Sequence, residues 1–270
     1  MIWGDEATAK AASTHQDIGS RRMTMRNKLP MMVLGLALGT GAVWAAPPTI
    51  DTQAMEGIQS RLNHAKVNQH GDVQVTVDRG VATLAGTVDN LGTKLDAEKA
   101  AERTQGVTQV VNNIRVRAQG IDDQQILKQA RHEINMYYAY GMFDHVDFQV
   151  NNGVLTVDGD VTQPFKKIDI RRILERVKGV TVLENNIEVL PNSPFDDRLR
   201  AQVARAIYGS AFFTPYANLA LPPIRIVVKN GNVTLEGVVV NKMDRVQAGM
   251  AANLAGLAFS VVNNLQVVKG

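Results

Sequence analysis

Three stretches decide the architecture. They are Arg79-Gly80-Val81-Ala82-Thr83-Leu84-Ala85-Gly86-Thr87-Val88, Asn152-Gly153-Val154-Leu155-Thr156-Val157-Asp158-Gly159-Asp160-Val161 and Asn230-Gly231-Asn232-Val233-Thr234-Leu235-Glu236-Gly237-Val238-Val239. They align without gaps. A second landmark runs Gly106-Val107 to Asn112-Asn113-Ile114, then Gly179-Val180 to Asn185-Asn186-Ile187, then Gly256-Leu257 to Asn263-Asn264-Leu265. The first glycines (80, 153, 231) and the Asn pairs (112, 185, 263) keep the same two spacings, 73 and 78 residues. Two landmarks moving in step across three copies mark an internal repeat.

Each copy reads locally. Val73, Val75 and Val77 alternate, as do Ala82, Leu84, Gly86 and Val88. A period of two signals strands with one buried face. Between them lies a tight turn at Gly80, Gly153 or Gly231, and Asn-Gly favours a hairpin because both residues tolerate positive φ. The inner glycines Gly86, Gly159 and Gly237 fall within a strand, where a bulge or a close helix approach is expected. A helix precedes each hairpin: Ile126, Ala130, Ile134 and Tyr137 share a face, and Leu199, Val203 and Ala206 repeat the spacing. A second helix follows, with Ile170, Leu174 and Val177 marking its apolar face in the second copy and Met243, Val246, Met250 and Leu254 in the third. Gly106, Gly179 and Gly256 are expected to end that helix. A last strand is expected after the Asn pair, which itself reads as a turn.

The order is helix, strand, strand, helix, strand. Three strands with one apolar face, covered by two amphipathic helices, make an α+β two-layer sandwich. The expected division is a leader at 1–45 and αββαβ domains at 51–118, 121–190 and 196–269. Units of this size are at the low end of independent stability, and the sequence leaves open whether they pack on one another or are strung out. The linkers are Ala118-Gln119-Gly120 and the stiffer Pro191-Asn192-Ser193-Pro194.

The hairpin glycine, the inner glycine and the Gly-Val to Asn-Asn-Ile ending resemble the BON domain, named for bacterial OsmY and nodulation proteins. The resemblance covers about Asp51 to Lys269. It implies the αββαβ fold, a home in the periplasm or at the envelope, contact with phospholipid surfaces or other envelope components, and a link to osmotic or envelope stress. It carries over no catalytic residue and no cofactor. The third copy departs from the pattern in the longer segment Phe212-Phe213-Thr214-Pro215-Tyr216 to Pro223.

The N-terminus reads as an address. Arg26 and Lys28 precede the apolar run Met31–Leu38, and Val43-Trp44-Ala45 puts small residues where a signal peptidase requires them. Export with cleavage after Ala45 is the expectation. An uncleaved inner-membrane anchor is the alternative, disfavoured because a spanning helix wants about 20 apolar residues. Met23 or Met25 as the true start would restore ordinary signal-peptide proportions.

Composition excludes several classes. With no cysteine there is no thiol nucleophile, disulfide, Cys-ligated zinc or lipid-bearing cysteine. Net charge is +3, but the excess lies in the leader, and the chain from Ala46 onward is close to neutral. That gives no nucleic-acid footprint. The five histidines form no ligand-spaced pair. His132 and Glu133 are adjacent on a helix and so do not face each other. Gly80 and Gly86 do not form a phosphate-binding loop, because they punctuate strands rather than open a helix.

Two aromatic clusters stand at corresponding helix ends: Tyr137, Tyr138, Tyr140 and Phe143, then Phe212, Phe213 and Tyr216. They read either as packing of the helix end onto its sheet or as an interfacial patch. Lys167 and Arg171 share a helix face that is either solvated or meets anionic headgroups. The functional expectation is a periplasmic, non-enzymatic module contacting anionic phospholipid or envelope proteins, with no nucleic acid, small-molecule substrate or metal. The alternative is a chaperone-like protein binding exported polypeptides.

Overall fold

The computed structural model describes residues 49–118 and 120–268. The leader, its cleavage point and Gln119 of the first linker lie outside the described residues. Three αββαβ repeats follow in order. The first has α1 (Ile50–His64), β1 (Gly71–Asp78), β2 (Val81–Val88), α2 (Leu91–Glu102) and β3 (Gln109–Val116). The second has α3 (Asp123–Met136), β4 (His145–Asn151), β5 (Val154–Val161), α4 (Pro164–Leu174) and β6 (Val182–Val189). The third has α5 (Pro194–Tyr208), a 3₁₀ turn at Ala211–Phe213, α6 (Thr214–Ala217), β7 (Ile224–Lys229), β8 (Asn232–Val239), α7 (Lys242–Leu254), β9 (Ser260–Asn263) and β10 (Gln266–Val267). The extra residues of the third copy thus form a short helix of their own.

In each repeat the second strand is central. It pairs antiparallel with its hairpin partner, and the crossover helix returns the third strand parallel on its other edge. In the third repeat that edge strand is split into β9 and β10, both paired to β8. The helices lie on one face of each sheet and enclose three separate cores. Their starts are fixed by side-chain caps: Thr49, Asn90, Asp122, Ser193 and Asn241 each accept a backbone N–H of the first turn. Pro194 is the first residue of α5, so it belongs to the helix and not to the linker.

Several expectations change. In the first two repeats the Asn pair lies inside the third strand rather than in a turn before it, and in the third Asn263 ends β9 while Asn264 falls in the break before β10. Asn112 Nδ2 donates to Lys94 O at 3.3 Å and its Oδ1 accepts from Ile114 N at 3.2 Å. Asn185 and Asn263 repeat both contacts, with Lys167 and Arg245 as the carbonyl partners. The first Asn of each pair therefore ties the crossover helix to its strand. Gly106 and Gly179 sit beyond the helix ends, where Arg103 and Glu175 are the caps. The inner glycines mark close approach of a strand, not a helix: a Cβ at Gly86 would stand 2.0 Å from Asp72 O of β1. Gly159 and Gly237 meet His145 O and Pro223 O in the same way.

The repeats touch. Gly92 N at the start of α2 donates to Glu175 O at the end of α4 at 2.7 Å, and Arg176 pairs with Asp96 at 2.5 Å. Between repeats two and three, Ile226 N donates to Met142 O at 2.8 Å. Phe143 packs against the third core and Leu221 against the second. β7 is buried at five consecutive positions, Ile224–Val228. Ile224, Ile226 and Val228 enter their own core, while Arg225 and Val227 fall on the other face of the strand.

Candidate contact surface on the crossover helices

Most of the predicted aromatic patch is interior. Tyr137, Tyr140, Phe213 and Tyr216 are buried. Tyr137 OH donates to Asp169 Oδ2 at 2.7 Å, tying the end of α3 to α4. Tyr140 OH accepts from Val146 N at 3.1 Å. Tyr216 OH donates to Asp244 and accepts from Val240 N at 2.9 Å, closing α6 onto α7. Phe143 is engaged in the seam to the third core. Tyr137, Tyr140, Phe213 and Tyr216 are thus spent on the interior, two of them with the phenol bonded to a carboxylate, and Phe143 is partly buried in the seam. Desolvation raises the phenol pKa of Tyr137, Tyr140 and Tyr216 above the ordinary value, and the acceptors Asp169 and Asp244 reinforce it at Tyr137 and Tyr216. Tyr138 remains at the surface, 89% exposed and edge-on to Tyr137, and Phe212 is partly exposed.

The larger apolar surface lies on the outward side of α7, opposite to the side its periodicity predicts. Met243, Val246, Met250 and Leu254, expected to face the core, are each more than half exposed. The buried face of α7 is Asp244, Ala248, Gly249 and Ala252. Small residues let α7 lie close to its sheet; a Cβ on Gly249 would stand 2.7 Å from Asn263 Nδ2. The large residues therefore point away. Lys242 and Arg245 are exposed on the same helix, and its single acid, Asp244, is buried against Tyr216. Leu257 and Phe259 extend the exposed apolar surface past the helix end.

The corresponding helix of the second repeat has the same character. Phe165 and Ile168, at the positions of Met243 and Val246, are exposed. Around them stand Lys167, partly buried, and Arg171 and Arg172, exposed. Arg171 lies 3.7 Å from Glu175, while Asp169 is engaged by Tyr137. In the first repeat the same positions hold Gly92 and Leu95, and Gly92 is covered by Arg176 of the second repeat. Two of the three crossover helices thus present large apolar side chains beside basic ones.

The glycine landmarks have backbone duties. Arg79, Asn152 and Asn230 take positive φ together with Gly80, Gly153 and Gly231, which forms the tight hairpin turns. A carboxylate at the start of each first helix holds that turn. Asp51, Asp123 and Asp196 each accept two successive turn N–H groups, at 2.8 to 3.0 Å. The sequence carried this signal as a third landmark at 51, 123 and 196. Among the described residues, no group of His, Asp or Glu is arranged to hold a metal ion. No helix among them is long and apolar enough to cross a membrane.

Among solved structures, the C-terminal domain of CdsD, a structural protein of the type III secretion system of Chlamydia trachomatis, is 14% identical. It overlaps 78% of this chain and 96% of its own, with a TM-score of 0.24. The periplasmic domain of the type III secretion inner-membrane protein PrgH from S. typhimurium is 13% identical over 77% of this chain and 100% of its own, with a TM-score of 0.19. No curated protein sequence matches the chain. The BON domain model matches three times, at residues 50–118, 122–191 and 196–269. With that model covering most of its length in three successive copies, the chain belongs to the BON domain family.

Proposed function

We propose that the chain is a non-enzymatic envelope module that rests on anionic phospholipid surfaces through the outward faces of α7 and α4. The observation that carries this reading is the α7 face. Four large apolar side chains in helical register are exposed, flanked by Lys242 and Arg245, with no exposed acid on the helix. An apolar stripe with basic flanks is the pattern of a helix lying in the membrane interface, where apolar burial and attraction to anionic headgroups add. Membership of a family of envelope-associated, generally non-catalytic modules supports the setting.

The test is co-sedimentation of the chain from Ala46 onward with neutral and anionic vesicles, at low and high salt. Anionic-selective, salt-sensitive pelleting is expected. It is lost in the Met243→Ser/Val246→Ser/Met250→Ser variant, whose folding is unchanged because all three sites are exposed. No pelleting at either salt overturns the reading. If the same apolar stripe instead suppresses aggregation of unfolded polypeptides, the chaperone-like function takes its place.

A further inference from the structure

A cleft of about 620 Å³ opens between repeats two and three. Its walls include Ile134, Tyr140 and Phe148 from the second repeat and Leu221, Pro223 and Arg225 from the third. Arg225 is the unusual member. It is only 7% exposed, yet among the described residues its guanidinium has no ion pair and no hydrogen bond, and Nη1 is buried without a partner. The guanidinium carbon lies 4.8 Å from the centroid of the Tyr140 ring.

A buried guanidinium is expensive unless a carboxylate or another acceptor compensates it. Stacking on Tyr140 offsets part of that cost. Desolvation raises the Tyr140 pKa, so the ring beneath the cation stays a neutral phenol. The natural compensator would be Glu236, which lies directly opposite Arg225 across the β7–β8 pair. Its carboxylate is turned elsewhere: Oε1 accepts from Asn264 Nδ2 at 2.6 Å and Oε2 lies 3.9 Å from His145 Nε2. Asp147, the other acid of the cleft, is hydrogen-bonded to His145 Nε2 at 3.1 Å, and that bond holds its carboxyl below the usual range. Arg131 adds a second cation to the wall without an ion pair among the described residues. Both acids are turned toward other groups, the charge of Arg131 acts on Asp147, and among the described residues Arg225 is paired with neither acid.

We propose that this cleft binds a small oxyanion carried on an apolar body, a phosphate monoester or a carboxylate. Arg225 takes the anionic group, and Leu221, Phe148 and Ile134 take the apolar part. The planar fork of an arginine matches both oxyanions through two parallel hydrogen bonds. The chemistry is recognition without turnover. It concerns a different surface from the α7 face, so the two readings stand or fall separately.

The experiment is calorimetric titration of the chain from Ala46 onward with hexyl phosphate, hexanoate and uncharged hexanol, with anionic vesicles in a parallel arm. One saturable site for at least one of the two anions, and none for hexanol, is expected. Arg225→Gln should weaken binding at least about tenfold, with an unchanged circular dichroism spectrum and a melting temperature no lower than the parent's. Val238→Trp, on the exposed rim, should block the cleft and gives the same answer if the Arg225 variant does not fold. Glu236→Gln removes an opposing charge and should tighten binding. If the soluble anions do not bind but vesicle binding is lost in Arg225→Gln and retained in the α7 variant, the oxyanion is a lipid headgroup. Absence of soluble-anion binding at about ten millimolar, together with vesicle binding indifferent to Arg225, overturns the proposal. So does anion binding that survives both Arg225→Gln and Val238→Trp.

Discussion

The carboxylate of Asp196 holds the turn at Gly231. Oδ1 accepts the Gly231 N–H at 2.8 Å and Oδ2 accepts that of Asn230 at 2.9 Å, with Asp196 itself buried. The first turn of α5 is thereby bonded to the β7–β8 hairpin at the place where both residues take positive φ. Removing the carboxylate strands two N–H groups, one of them fully buried. Asp196→Ala should therefore cost about 3 kcal/mol. Asp51→Ala, at a more exposed turn where water replaces the acceptor, should cost about 1 kcal/mol. Hydrogen exchange of the turn amides and urea unfolding of the two variants check the ranking; equal losses would contradict burial as the cause.

Gly159 is fixed by its neighbour strand. Its φ is +138°, and an added Cβ would stand 2.1 Å from His145 O and 2.8 Å from Val146 Cα. Backbone cannot swing aside as a side-chain tip can, so Gly159→Ala must open the β4–β5 pair or unfold the repeat. A loss above about 3 kcal/mol is expected. Gly256 also has positive φ, +74°, but nothing lies within 4 Å of its would-be Cβ. Gly256→Ala should show only the left-handed backbone cost, about 1–2 kcal/mol. Thermal unfolding of the pair separates steric from conformational strain.

These contrasts show which features the sequence expressed. Repeat number, element order and hairpin turns were legible because period-two alternation and Asn-Gly turns are local signals. The side of α7 was not. Met243, Val246, Met250 and Leu254 have the spacing of a buried face, but spacing cannot say whether the core takes the large stripe or the Ala248–Gly249–Ala252 stripe beside it. Packing at short range against Asn263 decides for the small residues. The aromatic residues misled for a related reason. Tyr137 and Tyr216 satisfy their hydroxyls with Asp169 and Asp244, partners that only the folded chain brings near. Arg225 lay inside an ordinary strand run, and its burial comes from the second repeat.

Burial of the phenols has a consequence at alkaline pH. Tyr137, Tyr140, Tyr208 and Tyr216 all have pKa values raised by desolvation. In the unfolded chain a tyrosine loses its proton near pH 10. Above that pH the folded chain keeps protons that the unfolded chain has lost, so stability falls as pH rises. It is fully present below about pH 10. Tyrosinate absorbance from these four should appear together with loss of the circular dichroism signal. Their ionisation well before unfolding would show that water reaches the phenols in the native state.

The two neighbours at the end of α3 should behave oppositely when shortened. Tyr137→Ser removes a buried ring and the hydrogen bond to Asp169, and should cost about 3 kcal/mol. Tyr138→Ser, at an exposed site, should stay within about 0.5 kcal/mol of the parent. Membrane attachment depends on different side chains. Lys167→Glu/Arg171→Glu reverses two charges beside Phe165 and Ile168 and breaks the 3.7 Å contact of Arg171 with Glu175. At about 1 kcal/mol per unit charge near an anionic surface, partition onto anionic vesicles should fall at least about tenfold at low salt. The effect should shrink at high salt, as screening requires. Vesicle binding insensitive to this double reversal, yet abolished by the α7 substitutions, would confine the membrane contact to the third repeat.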